Sequence, residues 1–265
     1  PSLELFNAHT EHLVRQHRLD ERILDRVRSI DRDGENYRIT GANDSYHARE
    51  VVLAVGNPPP TLPWGESIDR GNHVFDRSFD IESVASGESV AVVGSGVTGG
   101  QLAVTLVQRG LREVTIIDEG EPSQADYDGN PCFVGPRCAP EFGHIDSAEE
   151  RRRVIQQQRY PGTLPRDIYA ELATLRDNGQ ITYRVARVHS VHRRDGQLEV
   201  DCVTPDRERR AVRFDRVIAA TGFSSSPPAK ELISALSEQY ALPLGPAGYP
   251  DPDQKKRYVV VRKGR

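Results

Sequence analysis

One pattern occurs twice in this chain, and it narrows the available folds more than any other feature. Val27-Arg-Ser-Ile30 leads to Asp33-Gly34 and then to Val51-Val-Leu-Ala-Val-Gly56. Val188-His-Ser-Val191 leads to Asp195-Gly196 and then to Val217-Ile-Ala-Ala-Thr-Gly222. Each copy reads as a strand, a hairpin turn, and a buried strand closed by glycine. Between the copies lies Val90-Ala-Val-Val-Gly-Ser-Gly-Val-Thr-Gly99. A repeat that brackets a glycine-rich turn predicts one α/β module inserted in another, with the hairpins as crossovers. The inserted module is a Rossmann-like parallel sheet over residues 61–216. The outer, incomplete module takes residues 1–60 and 217–265.

The segment Gly94-Ser95-Gly96-Val97-Thr98-Gly99 fits G-x-G-x-x-G. Alone the motif says little. Here an apolar strand over 89–93 precedes it, a helix over 98–109 follows, and a second strand over 114–117 ends in Asp118. In that setting Gly94 permits the tight turn, Gly96 leaves room for a pyrophosphate, and Gly99 lets the helix press on the sheet. Free N–H groups and the dipole at the helix start hold the phosphates. A carboxylate at Asp118 accepts hydrogen bonds from a ribose 2′-hydroxyl and, with Glu119, repels a 2′-phosphate. This predicts NADH over NADPH. Arg137, in the long loop of residues 120–143, is the residue that would reverse the preference by folding back.

Residues 51–55 are apolar and mostly β-branched, which predicts a buried strand. Ligands of open α/β sheets bind outside the carboxyl ends of strands, so Gly56 and Gly222 are candidate points of close cofactor approach. The remaining pattern predicts a helix over 3–17 and a strand over 22–30. It also predicts a helix over 147–159 with Ser147 and Glu150 as a capping box, and a helix over 163–175. A strand follows over 181–184, and the tail carries one helix and a strand near Tyr258.

The 265 residues suffice for a sizeable core, and the net charge of -4 offers no basic field for nucleic acid or an anionic membrane. Arg151-Arg152-Arg153 is flanked by Glu149 and Glu150 and reads as a solvated helix face. Cys132, Cys138 and Cys202 form neither a disulfide framework nor a C-x-x-C pair, so reduced thiols in a cytoplasmic setting are expected and no metal site is. His9, His12 and His17 lie on one helix without further ligands, and His73 reads as a structural histidine. No signal-peptide or membrane-span pattern is present, and the start at Pro1 without any Met fits a trimmed or partial chain.

Taken together, these segments resemble the two-dinucleotide-binding-domain flavoproteins, most of all the flavin-containing and N-hydroxylating monooxygenases. Ala54-Val-Gly56 and Ala220-Thr-Gly222-Phe223 are similar to their two crossover turns. Pro60 and Leu62-Pro63 resemble their link into the NAD(P) module, and Gly71-Asn-His73 with Phe79 the approach to its first strand. The resemblance spans most of residues 20–228. It implies FAD and NAD(P)H as cofactors, hydride transfer between them, and oxygenation of a small nucleophilic substrate. The alternatives are a non-catalytic NAD(H)-binding sensor or partner subunit, and a flavin-dependent disulfide-type reductase. The family's earlier glycine-rich turn for FAD and its C-terminal Gly-Asp segment have no counterpart here. Three explanations stay open: a longer polypeptide, a partner chain or homo-oligomer supplying those elements, or no bound FAD. No residue is assigned a catalytic role.

Overall fold

A computed structural model describes residues 3–19, 23–57, 60–111, 113–133 and 137–250. The chain divides into two compact units, Pro1–Val55 with Ala229–Leu242, and Gly56–Pro228 with Pro243–Arg265. The strand expected near Tyr258 lies outside the described residues.

In the smaller unit, helix α1 (Leu3–Gln16) precedes a three-stranded antiparallel sheet of β1 (Ser29–Asp33), β2 (Asn36–Thr40) and β3 (Ser45–Ala48). The helix Lys230–Tyr240 packs against β1, and Gln239 donates to the Asp31 carboxylate at 3.3 Å. Of the strand expected over 22–30, only Ser29 and Ile30 belong to β1, residues 23–28 form no strand, and Arg22 lies outside the described residues. Asp25 instead turns its carboxylate into the following loop, accepting the N–H groups of Ala42, Asn43 and Asp44 and the hydroxyl of Tyr46. The hairpin is also offset by one residue. Asp33 pairs with Asn36, so Gly34 and Glu35 form the loop, with Gly34 at φ +60°.

A larger correction concerns residues 51–55, which form no strand. Val52 is 87% exposed, and Leu53 and Val55 are exposed as well. Among the described residues no strand lies alongside them, and a strand without a ladder leaves its N–H and C=O groups to solvent. β-Propensity alone does not hold such a segment in a sheet.

The larger unit is built on five parallel strands in the order β4-β13-β5-β6-β9. These are β4 (Gly71–His73), β5 (Ser89–Val93), β6 (Glu113–Asp118), β9 (Ile181–Val185) and β13 (Arg216–Ala219). Helices α2 (Val97–Gln108) and α5 (Arg166–Asp177) cover one face. Val90, Val92, Val114, Ile116 and Ile218 point into that helical side with Leu102, Leu106 and Leu172. Ala91, Val93, Ile117 and Val217 point to the other face. There they meet a second antiparallel meander of β10 (Arg187–Arg194), β11 (Gln197–Val203) and β12 (Arg209–Phe214). Both faces are covered, which is why the strands read as unbroken apolar runs. In this meander Arg194 pairs with Gln197 across Asp195 and Gly196, both at positive φ, as a two-residue hairpin loop requires.

Arg216 anchors the start of β13. It is nearly buried and makes a forked ion pair with Glu88, with Nε–Oε2 at 2.7 Å. Asp215, beside it, accepts the N–H and hydroxyl of Ser89 and the amide of Gln197.

Between β6 and α5 the chain makes a long excursion. It carries a short parallel ladder of β7 (Ser123–Gln124) and β8 (Thr163–Leu164), helix α3 (Ala139–Gly143) and helix α4 (Ala148–Gln158). Ser147 caps α4 by accepting the Glu150 N–H, while Glu150 pairs with Arg153. The expectation of free thiols fails here. Cys132 and Cys138 are joined as a disulfide, with Cα atoms 5.4 Å apart, and Cys202 is free and buried. Asn130 accepts the Cys132 N–H, and the Cys138 N–H returns to the Cys132 carbonyl, which closes the loop within bridging range.

Candidate dinucleotide site

β5 ends at Val93, and the chain must turn at once to enter α2. Gly94 makes that turn at φ +107°, and a Cβ there would stand 2.7 Å from the Ala220 carbonyl oxygen. Only glycine fits both conditions. A Cβ on Gly99 would run into the Gly94 carbonyl oxygen, so Gly99 is needed for the helix to sit on the turn. Gly100, which the motif does not include, does the same for helix packing. A side chain there would crowd Leu164, Leu172 and Ile168 of the β8–α5 segment.

Gly96 is different. It is the N-cap of α2 with an ordinary φ of -67°, and no side chain caps the helix. A Cβ on Gly96 would meet only Gly162, at 3.4 Å, an ordinary contact. The protein's own packing therefore does not demand glycine at this position, whereas a ligand approaching the backbone would. The N–H groups of Gly96, Val97, Thr98 and Gly99 are those a first helical turn leaves without an intrahelical carbonyl. Their partial positive charge faces an anion approaching along the helix axis.

Asp118 stands where β6 ends and is tied to the turn. Its Oδ2 accepts both the N–H of Ser95 at 2.6 Å and its hydroxyl at 2.5 Å, and its Oδ1 accepts the Glu119 N–H at 2.6 Å. The Ala186 N–H donates to the Asp118 carbonyl at 2.7 Å and brings the start of β10 alongside. A cleft of about 190 Å³ opens at these strand ends, lined by Gly94, Asp118, Glu119, Ala186, Arg187 and Thr221 among others. The sequence motif reaches Gly94 and Asp118. It misses Ala186, Arg187 and Thr221, whose place follows only from sheet order.

The link at Pro60–Thr61 meets the second crossover turn within the larger unit. Pro60 bridges Phe223, and the Thr221 hydroxyl donates to the Thr61 carbonyl at 2.5 Å. Phe223 stacks on Phe75 with ring centroids 5.3 Å apart. Gly222, at φ +73°, follows the carboxyl end of β13 as expected. Gly56 also has positive φ, but no strand precedes it, the residue is exposed, and a Cβ there would meet nothing within 4 Å. His73 closes β4, 1% exposed. Its Nδ1 accepts the Phe75 N–H at 3.1 Å, while Nε2 makes no hydrogen bond of good geometry. Burial pushes its pKa below the ordinary value, against the opposing effects of Asp76 and the Gly222 backbone. Arg137 is exposed and makes no ion pair with Asp118 or Glu119; the cation beside Glu119 is Arg187.

These residues fit a dinucleotide at Gly94–Gly99. Among the described residues no second glycine-rich turn leads from a strand into a helix. Among the described residues no cluster suited to a metal ion occurs, and no helix is long and apolar enough to cross a membrane.

A family model described as pyridine nucleotide-disulphide oxidoreductase matches residues 6–255. No curated protein matches the sequence. Among solved structures, the ornithine hydroxylase PvdA of Pseudomonas aeruginosa is 15% identical, with a TM-score of 0.69 over 90% of this chain and 63% of that one. The ornithine N-hydroxylase KtzI of Kutzneria sp. 744 is 16% identical, with a TM-score of 0.73 over 96% and 66%. The bacillithiol disulfide reductase Bdr (YpdA) of Bacillus cereus is 20% identical, with a TM-score of 0.60 over 96% and 64%. The chain thus spans about two thirds of the length of the structures it resembles.

Proposed function

Because this chain belongs to the pyridine nucleotide-disulphide oxidoreductase family, we propose that it forms the nicotinamide-binding part of a flavin-dependent NAD(P)H oxidoreductase. The observation that carries this reading is Gly96, where no neighbour in the fold requires glycine but a bound diphosphate would. In this reading the N–H groups of Gly96, Val97, Thr98 and Gly99 hold the diphosphate. Ser95 holds the Asp118 carboxylate at the mouth of the cleft, beside the adenosine ribose. The nicotinamide, when bound, supplies a hydride. Membership of the family implies a flavin as the hydride acceptor.

The finer reading is oxygenation of a small nucleophilic amine. It is supported by the likeness in fold to ornithine hydroxylases, one of them described with reduced FAD, NADP+ and L-ornithine. The likeness to a bacillithiol disulfide reductase supports a disulfide-reducing alternative. A non-catalytic NAD(H)-binding subunit is the third. With Asp118 and Glu119 side by side at the ribose end, NADH is preferred over NADPH.

The test is an absorbance spectrum of the purified chain followed by titration with NADH and NADPH. Flavin bands with nucleotide binding support the oxidoreductase reading. Nucleotide binding without flavin under any reconstitution favours the binding subunit. Failure to bind either nucleotide removes the proposal.

A further inference from the structure

We propose that the Glu119–Arg187 pair, more than Asp118, decides whether this chain accepts a 2′-phosphate on its nicotinamide dinucleotide, with Glu119 holding Arg187 in reserve. The inference rests on the dinucleotide reading above and adds the element that selects between its two forms.

Three charged side chains line the cleft at the strand ends: Asp118, Glu119 and Arg187. They differ in how far each is committed to the fold. Asp118 is bound on both oxygens, by Ser95 and by the Glu119 N–H. Its position is set by the glycine turn, so its hydrogen bond to a ribose hydroxyl and its repulsion of a 2′-phosphate are fixed features of the site. Glu119 and Arg187 are held far more loosely. Arg187 Nε lies 3.5 Å from Glu119 Oε1, and both side chains are more than two-thirds exposed. Among the described residues no other carboxylate pairs with Arg187. The backbone under Arg187 is nevertheless fixed, because the preceding residue, Ala186, donates to the Asp118 carbonyl, and the following residue, Val188, is buried in the core.

A flexible guanidinium on a fixed backbone, beside the acid that ends β6, is suited to grip a phosphate with its paired N–H donors. In the chain as it stands, Glu119 competes for that guanidinium and adds its own repulsion to a 2′-phosphate. A ribose hydroxyl meets neither penalty. The pair is exposed enough for an entering anion to open it at small cost.

The experiment titrates NADH and NADPH into the full chain and into Glu119→Gln, Arg187→Gln, the double variant and Asp118→Asn, following tryptophan fluorescence. Removing the competing carboxylate is expected to tighten NADPH about five-fold relative to NADH, the scale of one solvent-exposed charge contact. Most of that gain should be lost in the double variant, which keeps only the relief of repulsion, and Arg187→Gln alone should weaken NADPH more than NADH. Asp118→Asn should weaken NADH through the lost ribose hydrogen bond and shift the NADPH to NADH ratio less than Glu119→Gln does. A ratio of NADPH to NADH affinity that Glu119→Gln leaves unmoved, or a gain that survives loss of Arg187 undiminished, overturns the assignment while leaving the dinucleotide site intact. A wild-type chain that binds neither dinucleotide overturns the site itself and this inference with it.

Discussion

Replacing single glycines of the Gly94–Gly99 turn with alanine should separate what the fold needs from what the ligand needs. Gly94→Ala places a Cβ on a residue at φ +107° and within 2.7 Å of the Ala220 carbonyl oxygen. The backbone strain costs about 1–3 kcal/mol, and the overpacking against β13 costs a further 1–3 kcal/mol or so. Gly96→Ala meets no comparable obstacle, since φ is -67° and the new Cβ touches only Gly162 at 3.4 Å. Its cost is that of alanine at an N-cap, about 0.5–1 kcal/mol. Urea unfolding followed through Trp64, the single tryptophan, should therefore show Gly94→Ala destabilised by roughly 2–6 kcal/mol and Gly96→Ala close to wild type. Dinucleotide affinity should respond in the other order. In the proposed site a methyl group on Gly96 narrows the approach of the diphosphate to the helix N–H groups, and each charge-assisted hydrogen bond lost is worth about 1.5–3 kcal/mol, so NADH should bind at least about ten-fold more weakly. A folded Gly96→Ala chain that binds NADH as well as wild type would refute the placement of the diphosphate. A Gly94→Ala chain of undiminished stability would refute the steric argument for the turn.

Arg216→Met should cost about 3–5 kcal/mol in urea unfolding, because Glu88 is left poorly solvated and unpaired, and adding Glu88→Leu should recover part of it. Burial lowers the pKa of His73 below its ordinary 6.5, so the unfolded chain binds a proton that the folded chain does not. Stability should be intact above that value and fall as pH drops below it, and His73→Gln should flatten the fall between about pH 7.5 and 5 in pH-dependent urea melts. Thiol titration of the unfolded, unreduced chain should find one reactive cysteine, Cys202, and three after reduction. Cys132→Ser with Cys138→Ser should lower stability by about 2 kcal/mol, the loop-closure value for so short a ring.

How legible each element is in the sequence depends on how local its cause is. The turn from β5 into α2 is dictated within ten residues, by an apolar strand, spaced glycines and a helix, and those residues alone suffice to place it. The fold class follows from the same stretch together with the repeated hairpins. Residues 51–55 carry an equally strong β pattern, but a strand exists only with a neighbour to pair with, and pairing is not written in the segment itself. Cys132 and Cys138 mislead for a related reason. Their spacing matches no familiar redox motif, and only the fold-back through Asn130 brings them together. Arg187 is invisible as a site residue because it stands at the start of a meander far along the chain from Asp118. Its place depends on β9 lying next to β6. Gly100 has a signal in its position beside Gly99, since two adjacent glycines early in a helix imply close packing on two sides.

The unpaired stretch at residues 51–55 also bears on how this protein must be handled. Among the described residues no strand pairs with it, and it presents bulky aliphatic side chains, with Val52 almost wholly in solvent. Such a surface can recruit like segments from other molecules into stacked ribbons. Colloidal behaviour should therefore worsen with concentration, and a lysine at Val52, which touches no core, is the mildest remedy for preparing crystals or spectroscopic samples.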